Sequence, residues 1–431
     1  MPFEQRGTTA KRIAVIGGGI SGMGAAHHLA DRHNVVLFEA EPRLGGHART
    51  IVAGKRGDQP VDTGFIVFNY QTYPHLTALF EQLDVPVAKS NMSFGVSARQ
   101  GRMEYALNSV DSVFAKRLHL AHPNFLRMVR DILKFNKQSE STLRPDMSIG
   151  DLVETLRLGP WFVKYYLMPF SGAIWSTPKV KILDFPAETM IKFFRNHGIL
   201  DWNENHQWYT VEGGSVEYVT RLMRSMMSRG VDIRLGSDMQ AVRRTHFGVE
   251  LRVEGAEWEQ FDEVVFATHA DDSLRLLSDA TGVEQTALSS IRYQPNHAVL
   301  HADPKVMPKR RKVWSSWSHV ETGSGEDAPI ELSYWMNSLQ PIPEDDPLFV
   351  TLNHQGHIRE ELIHDEATFR HPVFDAAAVT AQDTVRAING QNRTWFCGAW
   401  MRHGFHEDGL ASGLEVAQQI LNEDAMDLAA E

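Results

Sequence analysis

An α/β fold is predicted, with a Rossmann-type parallel sheet and an α+β domain laid over it, and three observations predict it. Residues 13–46 read as strand, glycine turn, helix, second strand and acid. Segments of the same kind recur near residue 210 and at the end of the chain, and the stretches between them are rich in aromatics. Taking the elements in order, Lys11 and Arg12 lead into the apolar run Ile13 to Ile16, short enough for a buried parallel strand. Gly17, Gly19 and Gly22 then occupy G-x-G-x-x-G. The first glycine permits a tight turn, the second lets the backbone approach a pyrophosphate, and the third lets the helix pack closely on the sheet. Ile20 and Ser21 stand at the helix start, where free N–H groups and the positive dipole end favour a diphosphate. Val35 to Phe38 form the second strand, which ends at Glu39, followed by Ala40. A carboxylate there accepts hydrogen bonds from the hydroxyls of an unmodified ribose.

With 431 residues the chain can bury a large core and has room for two or three domains. Hydrophobic content of 42% and charged content of 23% are ordinary for a globular protein. A formal net charge of -11 argues against general binding of nucleic acid. Cys397 is the only cysteine, so an intrachain disulfide and a thiolate metal cluster are both excluded. The start, MPFEQRGTTAKR, has no apolar export signal, and no 18-residue apolar run occurs. A cytoplasmic location is expected. There is no internal repeat, so organisation follows the nucleotide-type segments: residues 1–72, 206–285 and 381–431 are assigned to one discontinuous domain. Residues 73–205 and 286–380 are assigned to a substrate domain.

Beyond Glu39, the residues Arg43, Gly45 and Gly46 complete E-x-x-x-R-x-G-G, and VDTGFIVFN follows at 61–69. These resemble the FAD-binding signature of the flavin amine oxidase and phytoene desaturase superfamily. The resemblance implies a glutathione reductase-like FAD domain in which Arg43, Gly45, Gly46 and His47 pass the pyrophosphate and flavin. By the same resemblance Thr63, Gly64 and Phe65 lie near the isoalloxazine, and Val242 belongs to the cofactor site. The C-terminal motif adds Gly398, Ala399, His406, Gly409 and Leu410, and places Phe405 as one aromatic facing the flavin. Two departures stand out. Ala399 occupies the place of an acid, and the strand that supplies amine oxidases with a lysine near the flavin reads YQPNHAVLHAD, with Asn296 and His297 instead.

A narrower resemblance is carried by GGHART at 45–50, LHADPKVMPKRRKVWSSWS at 300–318, SYWMNSLQ at 333–340 and FCGAWMRHGFHEDGLASG at 396–413. The chain looks like the bacterial FAD-dependent proteins often encoded beside cyclopropane fatty acid synthases, some of which desaturate methyl-branched acyl chains on the route to furan fatty acids. This implies dehydrogenation of a modified, methyl-branched phospholipid acyl chain by hydride transfer to flavin N5, with a cyclopropane synthase-like methyltransferase as partner. A flavin amine oxidase of a small amine, or a non-catalytic flavoprotein partner of such a methyltransferase, are the alternatives.

Such chemistry needs a C–H bond held close to the flavin in a dry apolar pocket, with a base for the second hydrogen. His406 and Glu407 are the candidates for that base, with His403 behind them; the same HEDG stretch also reads as a turn and helix cap using Asp408. Trp175, Tyr334, Trp335 and Phe405 are candidates for the pocket wall, against ordinary core packing. No metal site is expected, and neither G-x-S-x-G nor a P-loop is present. Two basic segments, 116–137 and 305–312, offer peripheral contact with the inner face of the cytoplasmic membrane. Phe125, Met128, Val129, Ile132 and Phe135 would form an apolar helical face beside Arg127, Arg130, Lys134 and Lys137. Between Lys116 and Lys137 stand six basic residues and one acid, a local +5. The alternative is that both segments are solvated faces of the substrate domain.

Overall fold

Five short strands pair in parallel in the order Thr394–Phe396, Glu263–Phe266, Arg12–Ile16, Asn34–Phe38 and Asp232–Arg234. The computed structural model that shows this describes residues 10–175, 182–196, 200, 206–321 and 331–430. Strands in a parallel sheet are covered on both faces, and Arg12–Ile16 and Asn34–Phe38 are apolar on both after their first residue, whereas the edge strand Asp232–Arg234 is polar. Alternation then sorts them. Ile13, Val15, Val35 and Leu37 enter one core with the helices Ile20–Leu29, Val216–Ser228 and His406–Ala430. Ala14, Ile16, Val36 and Phe38 enter a second core on the opposite side, with the antiparallel strands Met239–Thr245, Gly248–Val253 and Glu259–Phe261.

A seven-stranded mixed sheet forms the second body, in the order Ile363–Val373, Arg292–His301, Phe349–Leu352, Leu332–Trp335, Trp317–Val320, Phe94–Ala98 and Met103–Ala106. All its pairs are antiparallel except Trp317–Val320 with Phe94–Ala98. The helices Pro123–Thr142 and Ala187–Asn196 pack around a core holding Phe125, Met128, Ile132, Phe135, Phe162 and Phe194.

That packing corrects one expectation. The apolar face of Pro123–Thr142 is turned into the protein, with Phe125, Met128 and Phe135 fully buried. Val306 and Met307 of the second basic segment are buried as well. An amphipathic helix buries its apolar stripe in whatever apolar surroundings lie nearest, and here that is the domain's own core. Among the described residues no helix is long and apolar enough to cross a membrane.

Candidate cofactor and substrate cavity

The glycine turn owes its shape to close approaches that exclude a side chain. Gly17 has φ +109°, and a Cβ on it would lie 2.8 Å from the Ala267 carbonyl oxygen. A Cβ on Gly22 would lie 1.9 Å from the Gly17 oxygen, so only glycine lets the helix sit so close to the strand. Gly19 differs: its Cβ would meet nothing within 4 Å and would project into open space. The helix that follows has Gly19 as N-cap and no side-chain cap, which leaves its first N–H groups for an anion. Gly45 donates to the Gly18 carbonyl at 2.8 Å and forms a bridge with Gly19, so the second glycine pair lies against the first. Arg43 holds this loop by donating to the carbonyls of Gly46 and Ala48. Glu39 accepts from the Gly18 N–H at 2.6 Å and the Glu41 N–H at 2.8 Å.

From this turn a continuous cavity of about 1350 Å³ runs between the two bodies. Small-molecule sites usually measure about 300–1,000 Å³, so this one has room for a dinucleotide and a second molecule. Its residues fit FAD. Gly17, Gly19, Ile20, Ser21, Glu39 and Ala40 line one end, and Arg43, Gly45, Gly46 and His47 continue the wall. Thr63, Gly64, Phe65, Gly398, Ala399 and His406 stand further along. The Nε2 atom of His47 is buried without a hydrogen-bond partner, and an imidazole in a cavity wall is a natural donor or acceptor to a bound polar group. Behind Thr63, the Asp62 carboxylate accepts from Thr50 Oγ1, the Ser215 N–H and Oγ, and Gln340 Nε2, which locks the flavin-side segment to the second body.

Several expected site residues stand elsewhere. Gly22, Gly409 and Leu410 are absent from the wall; the last two bring the final helix onto Ser21 and Gly24 of the first. Val242 is buried in the second core, its carbonyl taken by the Ser278 N–H, and Met239 lines the cavity in its place. The register shift between Met239 and Ala241 decides which residue of that strand reaches the cavity. Tyr334 lines the wall, but Trp335 follows it on the strand and therefore points to the opposite face, against Trp314 and Arg311. Phe405 lines the cavity, whereas the side chain of Trp175 lies outside the described residues. Phe94, Ile132, Tyr166, Phe170 and Trp317 are wall residues that sequence reasoning missed. The pairing of Trp317 with Tyr334 was the available signal, since opposed residues of paired strands share a face.

The base assignments also change. The Glu407 carboxylate accepts from the backbone N–H groups of His75 and Leu76 and pairs with His75 Nδ1, so it caps the helix Pro74–Gln82 and is not a wall residue. Asp408 accepts from the N–H groups of His403 and Phe405, the capping arrangement of HEDG. His406 does face the cavity, stacked on Phe65 at 4.0 Å and bonded through Nε2 to the Tyr218 hydroxyl at 2.6 Å. Burial drives its pKa down to about 3, which keeps the ring neutral and makes it a poor proton acceptor. Its surroundings suit a positioning role.

Burial likewise holds His27, His301 and His371 near 4. Unfolding exposes these rings and lets them take up protons near pH 6.5, so their contribution to stability is full above that pH and is lost as pH falls toward 4. At pH 5 the loss is about 2 kcal/mol for a fully buried ring. Asp62 and Asp408, both raised by burial to about 6, act in the opposite sense but are outnumbered. The melting temperature is expected to drop between pH 7 and pH 5; an unchanged or rising value in a thermal scan would contradict this.

Over residues 20–371 the chain matches the model of the flavin-containing amine oxidoreductase family. Cyclohexylamine oxidase from Brevibacterium oxydans IH-35A superposes with a TM-score of 0.70 at 13% identity, over 96% of this chain and 99% of that one. A putative protoporphyrinogen oxidase from Exiguobacterium sp. 255-15 gives 0.67 at 17% identity, over 97% and 100%. The CLA-producing fatty acid isomerase from P. acnes gives 0.66 at 15% identity, over 95% and 98%. Identities so low speak for the fold alone. The mitochondrial protoporphyrinogen oxidase of Nicotiana tabacum is 47% identical over 49 residues, which are 11% of this chain and 10% of the tobacco protein.

Proposed function

The chain belongs to the flavin-containing amine oxidoreductases and is an FAD-dependent oxidoreductase, and from that premise we propose that it dehydrogenates a methyl-branched phospholipid acyl chain. The observation that carries this reading is the chemistry of the substrate end of the cavity. Phe94, Ile132, Tyr166, Phe170, Trp317 and Tyr334 line it. Among the described residues, no Asp, Glu, Lys or Arg contributes to the wall between Ser90 and Phe170 or between Trp317 and Leu352. Charged residues do line the cavity elsewhere, where Arg43 pairs with Glu41, Arg49 with Asp365, and Arg275 and Arg370 with Asp272. Burying an ammonium group at the substrate end would cost several kcal/mol without a carboxylate to offset it, whereas an alkyl chain gains from the transfer.

When bound, FAD supplies a two-electron acceptor for a hydride. The chain's own residues have three tasks. The aromatic walls hold the alkyl group and exclude water, and Phe65 with His406 sets the shape of the flavin side. A hydride and a proton leave adjacent carbons, and a C=C bond remains. His403, at the cavity rim, is the ring placed to relay that proton to solvent; partial burial and the nearby Lys192, Arg402 and Arg386 lower its pKa, so it relays the proton without retaining it. The lysine expected of an amine oxidase has no counterpart: no lysine lines the cavity among the described residues, Asn296 is buried on Asn353, and His297 points outward to Glu366. The narrower sequence resemblance supports an acyl substrate, and the fold is one that a fatty acid isomerase and amine oxidases share.

An anaerobic titration tests the reading. Phospholipids carrying methyl-branched chains are expected to bleach the visible flavin band, simple amines are not, and mass spectrometry of the lipid should find the new double bond. Bleaching by amines alone would overturn it in favour of amine oxidation. Bleaching by neither, with co-purification of a cyclopropane synthase-like methyltransferase, would overturn it in favour of a non-catalytic partner.

A further inference from the structure

Five of the thirteen exposed large hydrophobic residues among those described fall between residues 110 and 133: Val110, Leu118, Leu120, Leu126 and Leu133. They are not the apolar face that the sequence suggested. Leu126 and Leu133 lie on the outward side of the helix Pro123–Thr142, in a stripe that reads Leu126, Arg130, Leu133, Lys137, with spacings of four, three and four residues. Leu118 and Leu120 project from the turn Arg117–Ala121 just before the helix, on either side of buried His119, whose ring stacks on Phe125 at 4.2 Å. Arg117 reaches Asp111, and Lys312 binds the same carboxylate at 2.9 Å, so the turn, Val110 and the segment Lys309 to Lys312 form one surface.

The charge of this surface is opposite to that of the molecule. Six Lys or Arg stand between residues 116 and 137, and the only acid there, Asp131, is buried beneath Arg127 and Arg130. The segment Lys309 to Lys312 adds four basic residues, of which Arg310 is paired with buried Glu104, Arg311 with Glu344 and Lys312 with Asp111. The chain as a whole carries -11. Leucines exposed in a field of cations are the composition of a lipid-interface patch. The inner side of the same helix supplies Ile132 and Asn136 to the cavity wall, and the wall comes to the surface at Asn108, two residues before Val110.

We propose that this face docks on an anionic lipid bilayer, with Leu118, Leu120, Leu126 and Leu133 in the interface and the surrounding Lys and Arg on headgroup phosphates. The cavity then adjoins the membrane along one helix. Docking is independent of the reaction assigned above, because binding is read without turnover; only the passage of an acyl chain into the cavity rests on that assignment.

The test is flotation of the FAD-loaded protein with vesicles of phosphatidylglycerol and phosphatidylcholine, and with phosphatidylcholine alone. Association is expected with the mixed vesicles at low salt, weakening as salt is raised. Arg130→Gln with Lys137→Gln should lower partitioning about thirtyfold, at one basic contact each. Leu118→Ser, Leu126→Ser and Leu133→Ser together should abolish it, with FAD content and melting temperature unchanged, since all three sites are exposed. No association with mixed vesicles at low salt would overturn the proposal. So would undiminished binding by the serine variant; equal binding of that variant to polyglutamate would mark the face as a site for an acidic protein instead.

Discussion

Gly19→Val is expected to yield a folded, colourless protein. A Cβ at this position meets nothing within 4 Å, so the fold can accept the side chain. The space it fills is the cavity at the uncapped start of Ile20–Leu29, where the pyrophosphate must approach the backbone. Far-ultraviolet dichroism and melting temperature should match the parent without its cofactor, while the flavin content after reconstitution falls to nothing. A full complement of FAD in this variant would refute the placement of the pyrophosphate.

Three residues on, Gly22→Ala is expected to do the reverse kind of damage. Its Cβ would sit 1.9 Å from the Gly17 carbonyl oxygen, a backbone atom that cannot swing aside. The helix must lift off the strand, disturbing the core that Ile13, Val15, Met23 and Ala26 share. Overpacking of this severity costs about 3 kcal/mol or more. The measurement is soluble yield and denaturant midpoint of the FAD-free protein, and a midpoint equal to the parent's would contradict the packing described. The two variants separate binding from folding within one turn.

The first turn and its strands were legible because their constraints are local: a β-α-β unit with glycines at fixed offsets and an acid after the second strand leaves few other readings. What failed to read was phase. Tyr334 and Trp335 are equally aromatic, and only the pairing of Leu332–Trp335 with Trp317–Val320 decides which of them meets the cavity. Met239 and Val242 lie on one strand, and the irregularity between Met239 and Ala241 resets which residue faces the cofactor. The helix Pro123–Thr142 shows the same ambiguity at larger scale. Its apolar stripe has the form of a membrane-seeking face, yet the direction of that stripe was decided by Phe162, Phe194 and the other residues that cover it. Glu407 was misread because a carboxylate that caps another helix leaves no local trace: its partners, His75 and Leu76, are more than 300 positions away.

The order of strands in the parallel sheet also has a consequence for synthesis. Asn34–Phe38 emerges from the ribosome early, but the edge strand Thr394–Phe396 and the helix His406–Ala430, which packs on Ile20–Leu29, come last. At about 5–20 residues per second, roughly 20–70 s separate the two strands. Throughout that interval the sheet lacks its edge strand Thr394–Phe396, and Ile20–Leu29, though joined by Val216–Ser228, lacks the cover of His406–Ala430. The cavity wall is completed only when Gly398, Ala399 and His406 join the glycine turn, so the cofactor cradle and the last-made core close together.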